Sequence, residues 1–430
     1  MNQTRGTEDD ARSIEAVWRV ESARVVAALG RIAGDLGAAE DLAHDALVAA
    51  LEQWPTTGIP TSPFSWLVTV GRRRFIDGLR RSARADSRNR MLLRDAEVEE
   101  ARTGEKLDSI AMEPGEDLLR LMFSCCHPAL SNEAQVALTL KLLGGLSVEQ
   151  IAHATFQRES TVAQRIVRAK RSLAAARIGF ELPPAVELRA RVDSVLGVLY
   201  LIFNEGYVAS SGSAWTEPTL CREALRLGRV LAELLADIEE VHGLVALMEL
   251  QSSRLRARIG PDGDAILLAD QDRNRWDRLL IRRGLVALDR ASRLGRGLGP
   301  YGLQAAIAAC HAIAPAVEMT DWVRVAALYD ALGELAPSPV VELNRAVAVS
   351  MAYGPEAGLA VLDTVAEHPA LSSYHLCLSV RGDLLERLGR FADAEAAFRK
   401  AAEMTANERE QLLLRSRAND AASRLPRQSS

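Results

Sequence analysis

Apolar residues recur at helical spacing along most of this 430-residue chain. One predicted helix carries its apolar residues on a single face, at Ala43, Leu47, Leu51 and Trp54. A loop rich in Pro, Gly and Thr follows it and ends the helix. The pattern predicts a compact module of three or four helices over residues 13–85.

The next predicted helix begins at Ser62 and Pro63, which suit the N-cap and the first helical turn. Its apolar face is formed by Phe64, Val68, Phe75 and Leu79. The opposite side carries Arg73, Asp77, Arg80 and Arg84. The helix therefore displays a stripe of arginines away from its apolar face.

The most specific signal in the chain is a helix-turn-helix pattern at residues 147–173. Ser147 and Gln150 form the N-cap and N3 positions of a capping box, and Ala152 is small enough for a second helix to cross closely. The second helix has an apolar side at Val162, Ile166, Ala169 and Leu173, and an opposite side at Thr161, Gln164, Arg168 and Arg171. This is the layout of a recognition helix in the major groove, and the alternative is an ordinary amphipathic pair.

Two concentrated basic segments stand out in a protein whose formal net charge is -5. Residues 72–90 hold eight Arg against two Asp, and residues 158–177 hold five Arg and one Lys against one Glu. These segments carry +6 and +5, which leaves -16 for the rest of the chain. Two separate contacts with polyanions explain this distribution better than solvated helix faces, in which acids would be interspersed.

Candidate chemistry elsewhere is sparse. The five cysteines are too scattered for a disulfide framework, and no C-x-x-C pair indicates zinc. Cys125, Cys126 and His127 are interpreted as buried packing, and we expect neither a metal nor a cofactor. No Ser-His-Asp set, phosphate loop or carboxylate pair indicates an enzyme.

The chain shows no targeting or membrane signal. Its N-terminal residues lack the basic start and apolar run of a signal peptide. The longest uncharged stretch, 297–317, is rich in Ala and broken by Gly, Pro, Gln and His, so it predicts a buried helix and a turn. Together with the cysteine usage, these features predict a cytoplasmic protein that makes no membrane contact.

The second half of the chain continues the helical pattern, with breaks at 210–218, 260–264, 295–302, 336–339 and 368–373. Near its end, Gly382, Gly389, Ala394, Phe398 and Ala401 stand at the spacings of a tetratricopeptide repeat. A weaker echo precedes this repeat. A helix-pair solenoid is therefore expected for the last hundred or so residues.

Taken in order, these segments resemble the two-domain sigma factors of the extracytoplasmic-function group. DLGAAEDLAHDALVAALEQW is similar to their region 2.2, SPFSWLVTVGRRRFIDGLRR to regions 2.3 and 2.4, and residues 117–177 to region 4. CCHP at 125–128, LYLIFNEGY at 199–207 and DQDRNRWD at 270–277 resemble the subgroup with a long tetratricopeptide-like extension. The resemblance implies an all-α fold made of two small sigma domains and a larger helical C-terminal domain.

The resemblance divides the chain into four parts. A region 2 domain over 1–88 would contact core polymerase and the -10 element, and an acidic linker over 89–116 would follow. A region 4 helix-turn-helix domain over 117–182 would bind the -35 element. A helical extension over 183–430 would be tetratricopeptide-like at 340–415.

Roles follow from the resemblance, residue by residue. Docking on the polymerase clamp would use Asp41, Leu42, His44 and Asp45. The melted -10 strand would be handled by Trp66, Arg73, Arg74, Asp77, Arg80 and Arg81. The -35 element would be contacted by Arg158, Ser160, Thr161, Gln164, Arg165, Arg168 and Arg171.

The extension contains two polar motifs that form a candidate regulatory site, made of Asn204, Glu205, Tyr207, Asp270, Gln271, Asp272, Arg273 and Trp276. A helix C-cap at Gly206, an N-cap at Asp270 and local ion pairs are the simpler interpretation. The alternative is a sensory pocket, or a docking face for the sigma domains, for polymerase or for another protein.

Two function classes remain open. The first is an alternative sigma factor that binds core RNA polymerase and promoter DNA, with a C-terminal domain that modulates its activity. The second is a stand-alone helix-turn-helix regulator with a ligand-sensing C-terminal domain, which would bind duplex DNA tightly without polymerase. An enzyme in the extension would need a pocket with convergent polar groups.

Overall fold

A computed structural model shows the chain to be almost entirely α-helical. The described residues are 2–82, 114–155, 157–176, 178–207, 218–260, 266–295, 297–366, 368–371, 374–405 and 408–425. They form eighteen α-helices and short 3-10 turns with no β-strand, which confirms the all-α prediction. Most of the predicted linker at 89–116 lies outside these residues. None of the helices described here has the length and apolar character needed to span a bilayer.

The chain divides into two compact units, Met1–Leu201 and Ile202–Ser430. Three helices open the first unit: α1 (Asn2–Ala33), α2 (Leu36–Thr57) and α3 (Pro63–Ser82). Gly34, with φ of 66°, permits the reversal after α1, and the Asp35 carboxylate caps α2 by accepting from Ala38 N at 2.7 Å. Gly71 allows α3 to approach α1, since a Cβ there would lie 2.7 Å from Leu29 Cδ1.

The predicted apolar face of α2 is confirmed at its ends and wrong in the middle. Ala43 and Trp54 are buried, but Leu47 is only half-buried and Leu51 is 46% exposed. The buried stripe instead runs through Ala39, Ala43, Ala46, Ala50 and Trp54. Alanines let α1 pack closely against α2, so the leucines are displaced towards solvent.

The faces predicted for α3 agree with its burial. Val68 and Leu79 are buried, Phe64 and Phe75 are half-buried, and the opposite side with Arg73, Asp77 and Arg80 is exposed. Arg84 lies outside the described residues. The arginine stripe thus exists as far as Arg81.

The helix-turn-helix follows in four further helices: α4 (Pro114–Cys125), α5 (Asn132–Leu142), α6 (Val148–Ala154) and α7 (Glu159–Ala175). The capping box is confirmed, because Ser147 Oγ accepts from Gln150 N at 3.0 Å and Gln150 Oε1 accepts from Ser147 N at 2.9 Å. Ala152 is buried where α6 meets α7. The apolar side of α7 is buried at all four predicted positions, Val162, Ile166, Ala169 and Leu173.

Helix α8 (Ala185–Tyr207) contains the boundary between the two units. Its first part holds the C-terminal end of α4, since Arg191 donates to Phe123 O and Ser194 donates to Cys126 O, each at 2.6 Å. Gln135 Nε2 donates to the same Cys126 carbonyl at 3.2 Å. Carbonyls that a helix end leaves unpaired are thereby satisfied by side chains.

After the end of α8, the second unit continues with α9 (Pro218–Leu234), α10 (Glu239–Ser252), α11 (Arg278–Leu294) and α12 (Pro300–Ile313). Helix α10 is its centre, buried on every side from Val241 to Leu250 and packed against α9, α11 and α12. The one acid in this buried stretch, Glu249, pairs with Arg229 at 2.7 Å. The uncharged stretch at 297–317 forms the buried helix and turn expected for it.

Six more helices complete the unit: α13 (Trp322–Leu335), α14 (Pro339–Tyr353), α15 (Pro355–Asp363), α16 (His375–Arg387), α17 (Phe391–Met404) and α18 (Glu408–Ser423). Each packs against the next along this series as far as α18. Gly382 on α16 admits the Phe398 ring of α17, because a Cβ would lie 2.7 Å from Phe398 Cε1. The repeat spacing thus marks a close helix crossing, while the tetratricopeptide assignment of 340–415 stays a prediction.

Candidate nucleic-acid interface

The arginines of α3 divide into paired and unpaired groups. Arg74 is half-buried and pairs with Asp45 of α2 at 3.0 Å. Arg80 lies 3.6 Å from Asp77, and Arg81 Nε donates to Asp77 O at 3.2 Å. Arg73 is exposed and makes no ion pair within the described residues. The arginine stripe therefore offers cations that can bind phosphate. Asp77 lies among them and holds Arg80.

Trp66 packs edge-on against a second tryptophan, Trp54. Its ring lies 5.2 Å from that of Trp54, with an interplanar angle of 62°. Trp54 is buried and fixes this pair, whereas Trp66 is only half-buried. An anchored, partly exposed indole beside arginines is suited to stacking with an unpaired base.

Three of the four residues predicted to dock on polymerase share one exposed side of α2, and Leu42 lies off it. Asp41, His44 and Asp45 are exposed, and Leu42 is half-buried. His44 Nδ1 lies 3.1 Å from Glu40 O, and its ring centroid is 6.3 Å from that of Trp18. The same side also exposes Val48 and Leu51, at 48% and 46%. We refer to Asp41, His44, Asp45, Val48 and Leu51 as the α2 stripe.

The outward face of α7 carries most of the residues predicted to contact the -35 element. Exposed side chains on it include Ser160, Thr161, Gln164, Arg168 and Arg171, and Arg158 is exposed at the N-cap. Arg165 differs, because it is half-buried and its Nη1 donates to Gln157 Oε1 at 2.6 Å. Arg165 therefore braces the start of the recognition helix as well as facing solvent.

Contacts between the two predicted sigma modules were not anticipated from the sequence. Lys170 of α7 bonds to Glu40 of α2, and the Glu40 side chain is 8% exposed. Arg31 of α1 pairs with Asp117 of α4 at 3.2 Å. Gly30 lies directly under the ring of Phe180, which would be 2.8 Å from an added Cβ. Both modules therefore pack together within the first unit.

The two cysteines of the Cys-Cys-His segment belong to the core of the first unit, and His127 is half-buried. Cys125 and Cys126 are both buried, and burial raises the pKa of the Cys126 thiol to about 12. Burial also lowers the pKa of His127. No cluster of metal-ligating side chains occurs among the described residues. A protonated thiol in an apolar setting is a packing group.

The first motif of the candidate regulatory site is helical to its end. Phe203 is buried and stacks on Tyr207 with 5.7 Å between centroids, while Asn204 and Glu205 are half-buried. Gly206 lies inside α8, so the expected C-cap at this glycine is wrong.

The second motif is held by backbone contacts. Asp272 caps a 3-10 turn by accepting from Asn274 N at 2.9 Å, and Asp277 caps α11. The N-cap expected at Asp270 is therefore wrong, because Asp270 is an exposed residue that ends the turn Leu268–Asp270. Trp276 is buried.

Arg273 ties this motif to the end of α12. Its Nη1 donates to Ala314 O at 2.7 Å and also to His311 O, and its guanidinium lies 4.9 Å from the Trp276 ring centroid. A guanidinium at the C-terminal end of a helix complements the helix dipole. Burial together with Arg254 and Arg273 lowers the pKa of His311 to about 4, so this imidazole is neutral at physiological pH.

Tyr207 and Gln271 bring the two motifs to one cavity of about 260 Å³. The Arg258 guanidinium lies 3.8 Å from the centroid of the Tyr207 ring and donates to Tyr207 O, and Arg254 lies 5.6 Å from the same centroid. The other six residues of the candidate regulatory site do not line this cavity. Arg254 and Arg258, the two arginines of its lining, were missed because no local motif marks them.

Three family models match this chain. Sigma-70 region 2 matches residues 19–85, and sigma-70 region 4 matches residues 120–173. A family of unknown function, DUF6596, matches residues 191–292. An uncharacterized protein of Rhizobium meliloti (strain 1021) is 44% identical over 393 residues, which cover 91% of this chain and 92% of that protein. The two sigma-70 matches coincide with the helices that carry the exposed arginines.

Proposed function

The chain belongs to the sigma-70 family, as a sigma factor of the extracytoplasmic-function type with a C-terminal extension, and we propose that it is an alternative sigma factor for core RNA polymerase. Its sigma-70 domains give it a role in promoter recognition, as a transcription factor rather than an enzyme. Its partners are core polymerase and promoter DNA. The proposal adds specific roles for residues, a cytoplasmic location and a function for the extension.

The observation that carries the proposal is the separation of two exposed basic faces on two different helices. On α7 the outward residues Gln164, Arg168 and Arg171 are exposed above a fully buried apolar side. We assign this face to the duplex of the -35 element, where arginine and glutamine can bond to base edges. Arg158, Ser160, Thr161 and Arg165 would position the helix through phosphates.

The second basic face, on α3, is assigned to the -10 element. Trp66 offers a ring that can stack on an unpaired base, and Arg73, Arg80 and Arg81 offer charge to the strand that carries it. Asp77 and Arg74 are engaged with neighbouring side chains or backbone, so their role is to hold the stripe in place.

The α2 stripe is the proposed polymerase contact. It combines two exposed apolar side chains with two acids and a histidine. Apolar groups surrounded by polar ones are typical of the centre of a protein interface. Asp45 pairs with Arg74, so docking on this stripe would be coupled to the position of α3.

Transcription in vitro tests the proposal. The protein is mixed with sigma-free core polymerase and a genomic promoter library, and the transcripts are sequenced. We expect initiation at a restricted promoter set that depends on both the protein and the polymerase. An Arg73→Ala/Arg80→Ala variant serves as a matched control that should bind core polymerase yet fail to open promoters. Absence of polymerase-dependent initiation would reject the proposal.

The same protein also tests the rival function, a stand-alone helix-turn-helix regulator. That protein would bind a specific duplex tightly without polymerase. A single exposed helix face with three side chains for base edges, as on α7, favours weak binding alone and a gain from being joined to a second module. Nanomolar duplex binding by the free protein would favour the regulator.

We further propose that the extension modulates the sigma activity. Helices α9 to α18 form a unit with its own buried core, which is more mass than promoter contacts require. Truncation after Tyr207 keeps α8 and its bonds to α4 intact, and so removes the extension with little damage to the first unit. We expect the truncated protein to differ in transcript yield. Equal yields under every growth condition tried would contradict this role.

A further inference from the structure

The cavity at Tyr207 lies within the second unit. Its lining combines two arginines, a histidine with a glutamate, and apolar side chains. It is formed by the end of α8, the segment after α10, the turn at 266–271, and helices α16 and α18. Its volume of about 260 Å³ is near the lower limit of small-molecule sites, roughly 300–1,000 Å³. A ligand that fits must therefore be small.

One wall is cationic, and no described residue forms an ion pair with its two arginines. Arg254 and Arg258 both face Tyr207, and neither forms an ion pair within the described residues. Arg254 donates to Gln251 Oε1, and Arg258 donates to the Tyr207 carbonyl. Burial lowers the pKa of Arg258, and the neighbouring Arg254 lowers it further. Both arginines are half-buried, and a cation withdrawn from water favours an anionic partner, so this wall suits an anion.

The opposite wall carries an acidic residue, Glu410. His375 Nε2 lies 2.9 Å from Glu410 Oε2, and Thr405 Oγ1 donates to the same carboxylate at 2.8 Å. Burial raises the pKa of Glu410, but these hydrogen bonds outweigh it and leave the pKa lowered. Glu410 is therefore ionised at neutral pH. An anionic group entering the cavity is directed away from Glu410 and towards the two arginines.

The rest of the lining is apolar, with Ile266, Leu267, Leu376, Leu413 and Leu414 among its residues. Inorganic phosphate would leave these side chains uncovered, whereas a ligand with an aliphatic or aromatic body would cover them. Gln271 adds a further polar feature: it is 7% exposed, its Nε2 donates to Ile266 O, and its Oε1 has no hydrogen-bond partner within the described residues. That oxygen can accept from a ligand N–H.

We propose that this cavity binds a small organic carboxylate with an apolar body, its carboxylate held by Arg254 and Arg258. Acylated amino acids and short aliphatic or aromatic acids have this chemistry. Binding itself does not require the sigma role. A regulatory consequence of binding rests on the proposed function of the extension.

Binding is tested on the full chain by calorimetry with paired probes. N-acetyl-leucine, isovalerate and phenylacetate are each compared with the corresponding primary amide, which keeps the apolar body and removes the charge, and with inorganic phosphate. We expect at least one acid to bind roughly tenfold or more tightly than its amide, since charge-assisted bonds to arginine are lost in the amide. Phosphate should not bind at this cavity.

Two variants locate the site. Arg254→Gln removes one cation, and Ser379→Leu on α16 fills part of the cavity; both should weaken acid binding about tenfold or more. Arg256→Gln is the matched control, because Arg256 is exposed on the same 3-10 turn and does not line the cavity. Thermal melts of each variant establish folding. Binding unchanged in both cavity variants would overturn the proposal.

The outcomes keep this inference apart from the proposed function. No preference of the protein for any acid over its amide would overturn the carboxylate site, even if truncation after Tyr207 alters transcription. Acid binding that depends on Arg254 would support the site even if transcription is unaffected, and would then count against the modulating role instead. Equal binding of acids and amides would show an apolar pocket, which also rejects the proposal.

Discussion

Arg168 is the residue on which promoter specificity is expected to depend most. It lies near the middle of the exposed face of α7, and burial of Ile166 and Ala169 on either side in sequence fixes the helix beneath it. We expect Arg168→Ala to cost roughly 1 to 3 kcal/mol in promoter binding and to relax preference at one upstream position. Promoter libraries randomised in the -35 element, transcribed with each protein, measure this change.

Arg168→Lys is the informative control for that substitution. Lysine keeps the charge but loses the planar pair of donors that matches a guanine edge. If Arg168 contacts a base, both variants flatten the preference and only Arg168→Ala also reduces the salt dependence. If Lys restores the preference, the residue contacts a phosphate.

His311 links residue chemistry to the stability of the second unit. Its pKa in the folded chain is about 4, because burial and two arginines disfavour the imidazolium, while an unfolded chain has the ordinary value of 6.5. The unfolded state therefore takes up the proton first as the pH falls. The stability this histidine contributes is fully present above pH 6.5 and is lost between pH 6.5 and about 4.

That loss amounts to about 3 kcal/mol at most. Between pH 7 and 4 the free energy of unfolding should fall less in His311→Gln than in the native chain. The difference between the two falls should be at most the amount just given. Urea unfolding followed by tryptophan fluorescence is suitable, since Trp322 lies 5.1 Å from the His311 ring. A His153→Asn control, at an exposed position, should parallel the native chain. Parallel behaviour of His311→Gln would contradict the prediction.

At this scale the sequence was informative where the signal is local. The Ser147 and Gln150 capping box depends on residues three apart, and it was predicted correctly. The cap at Asp270 was predicted wrongly, because four aspartates lie within 270–289 and the turns Leu268–Asp270 and Arg273–Arg275 decide which of them starts a helix. No local pattern announces such short turns.

Among the elements, α2 yields the sharpest prediction. The α2 stripe exposes Val48 and Leu51 on a well-packed helix, and their loss should not unfold it. We expect Val48→Ser/Leu51→Ser to weaken binding to core polymerase by roughly 1 to 2 kcal/mol, or about five- to thirtyfold. Titration of labelled core polymerase with the protein measures the affinity.

Val20→Ser provides the matched control, since Val20 is 71% exposed on α1 and is not part of the α2 stripe. Its affinity for core polymerase should equal that of the native chain. An equal loss in the control would indicate a general effect of surface hydrophobicity. No loss in the double variant would remove the α2 stripe from the polymerase interface.

The buried and exposed faces of a helix could be predicted where the 3.6-residue period of apolar residues determines them. On α7 a period of 3.6 separates buried from exposed residues correctly at every position it predicted. On α2 the same rule selected the leucines, whereas close packing against α1 selects the alanines. Periodicity identifies the hydrophobic side of a helix. The size of the side chains then decides which residues lie where two helices cross.

For the molecule as a whole, contacts distant in sequence were beyond prediction. The bond between Glu40 and Lys170 joins residues 130 positions apart, and the guanidinium wall at Tyr207 joins α8 to the segment after α10. Neither depends on a local motif. The sequence did show two basic segments in an acidic chain, and it showed two polar motifs. Of the residues in those motifs, only Tyr207 and Gln271 meet at the cavity.

Under the proposed function, the packing of the two sigma modules predicts an opening step. The -10 and -35 elements lie more than two turns of duplex apart, so roughly 70 Å or more. Lys170 of α7 and Glu40 of α2 are bonded in the free chain, so under the proposed function we expect both modules to separate when they occupy a promoter together. Since Glu40 is nearly buried, losing its partner is costly, and Lys170→Glu should loosen the packed arrangement.

Labels at Val20→Cys and Ser172→Cys report this separation by electron resonance or energy transfer, because the five native cysteines are buried. We expect a short distance in the free native chain, a broader and longer distribution in Lys170→Glu, and recovery in the charge-swapped Glu40→Lys/Lys170→Glu chain. Recovery distinguishes the ion pair from general destabilisation, since a damaged helix would not be repaired by a second reversal. If the distance is the same in the free chain and in the promoter complex, the opening step does not occur, and the two basic faces must be served by DNA that bends between them.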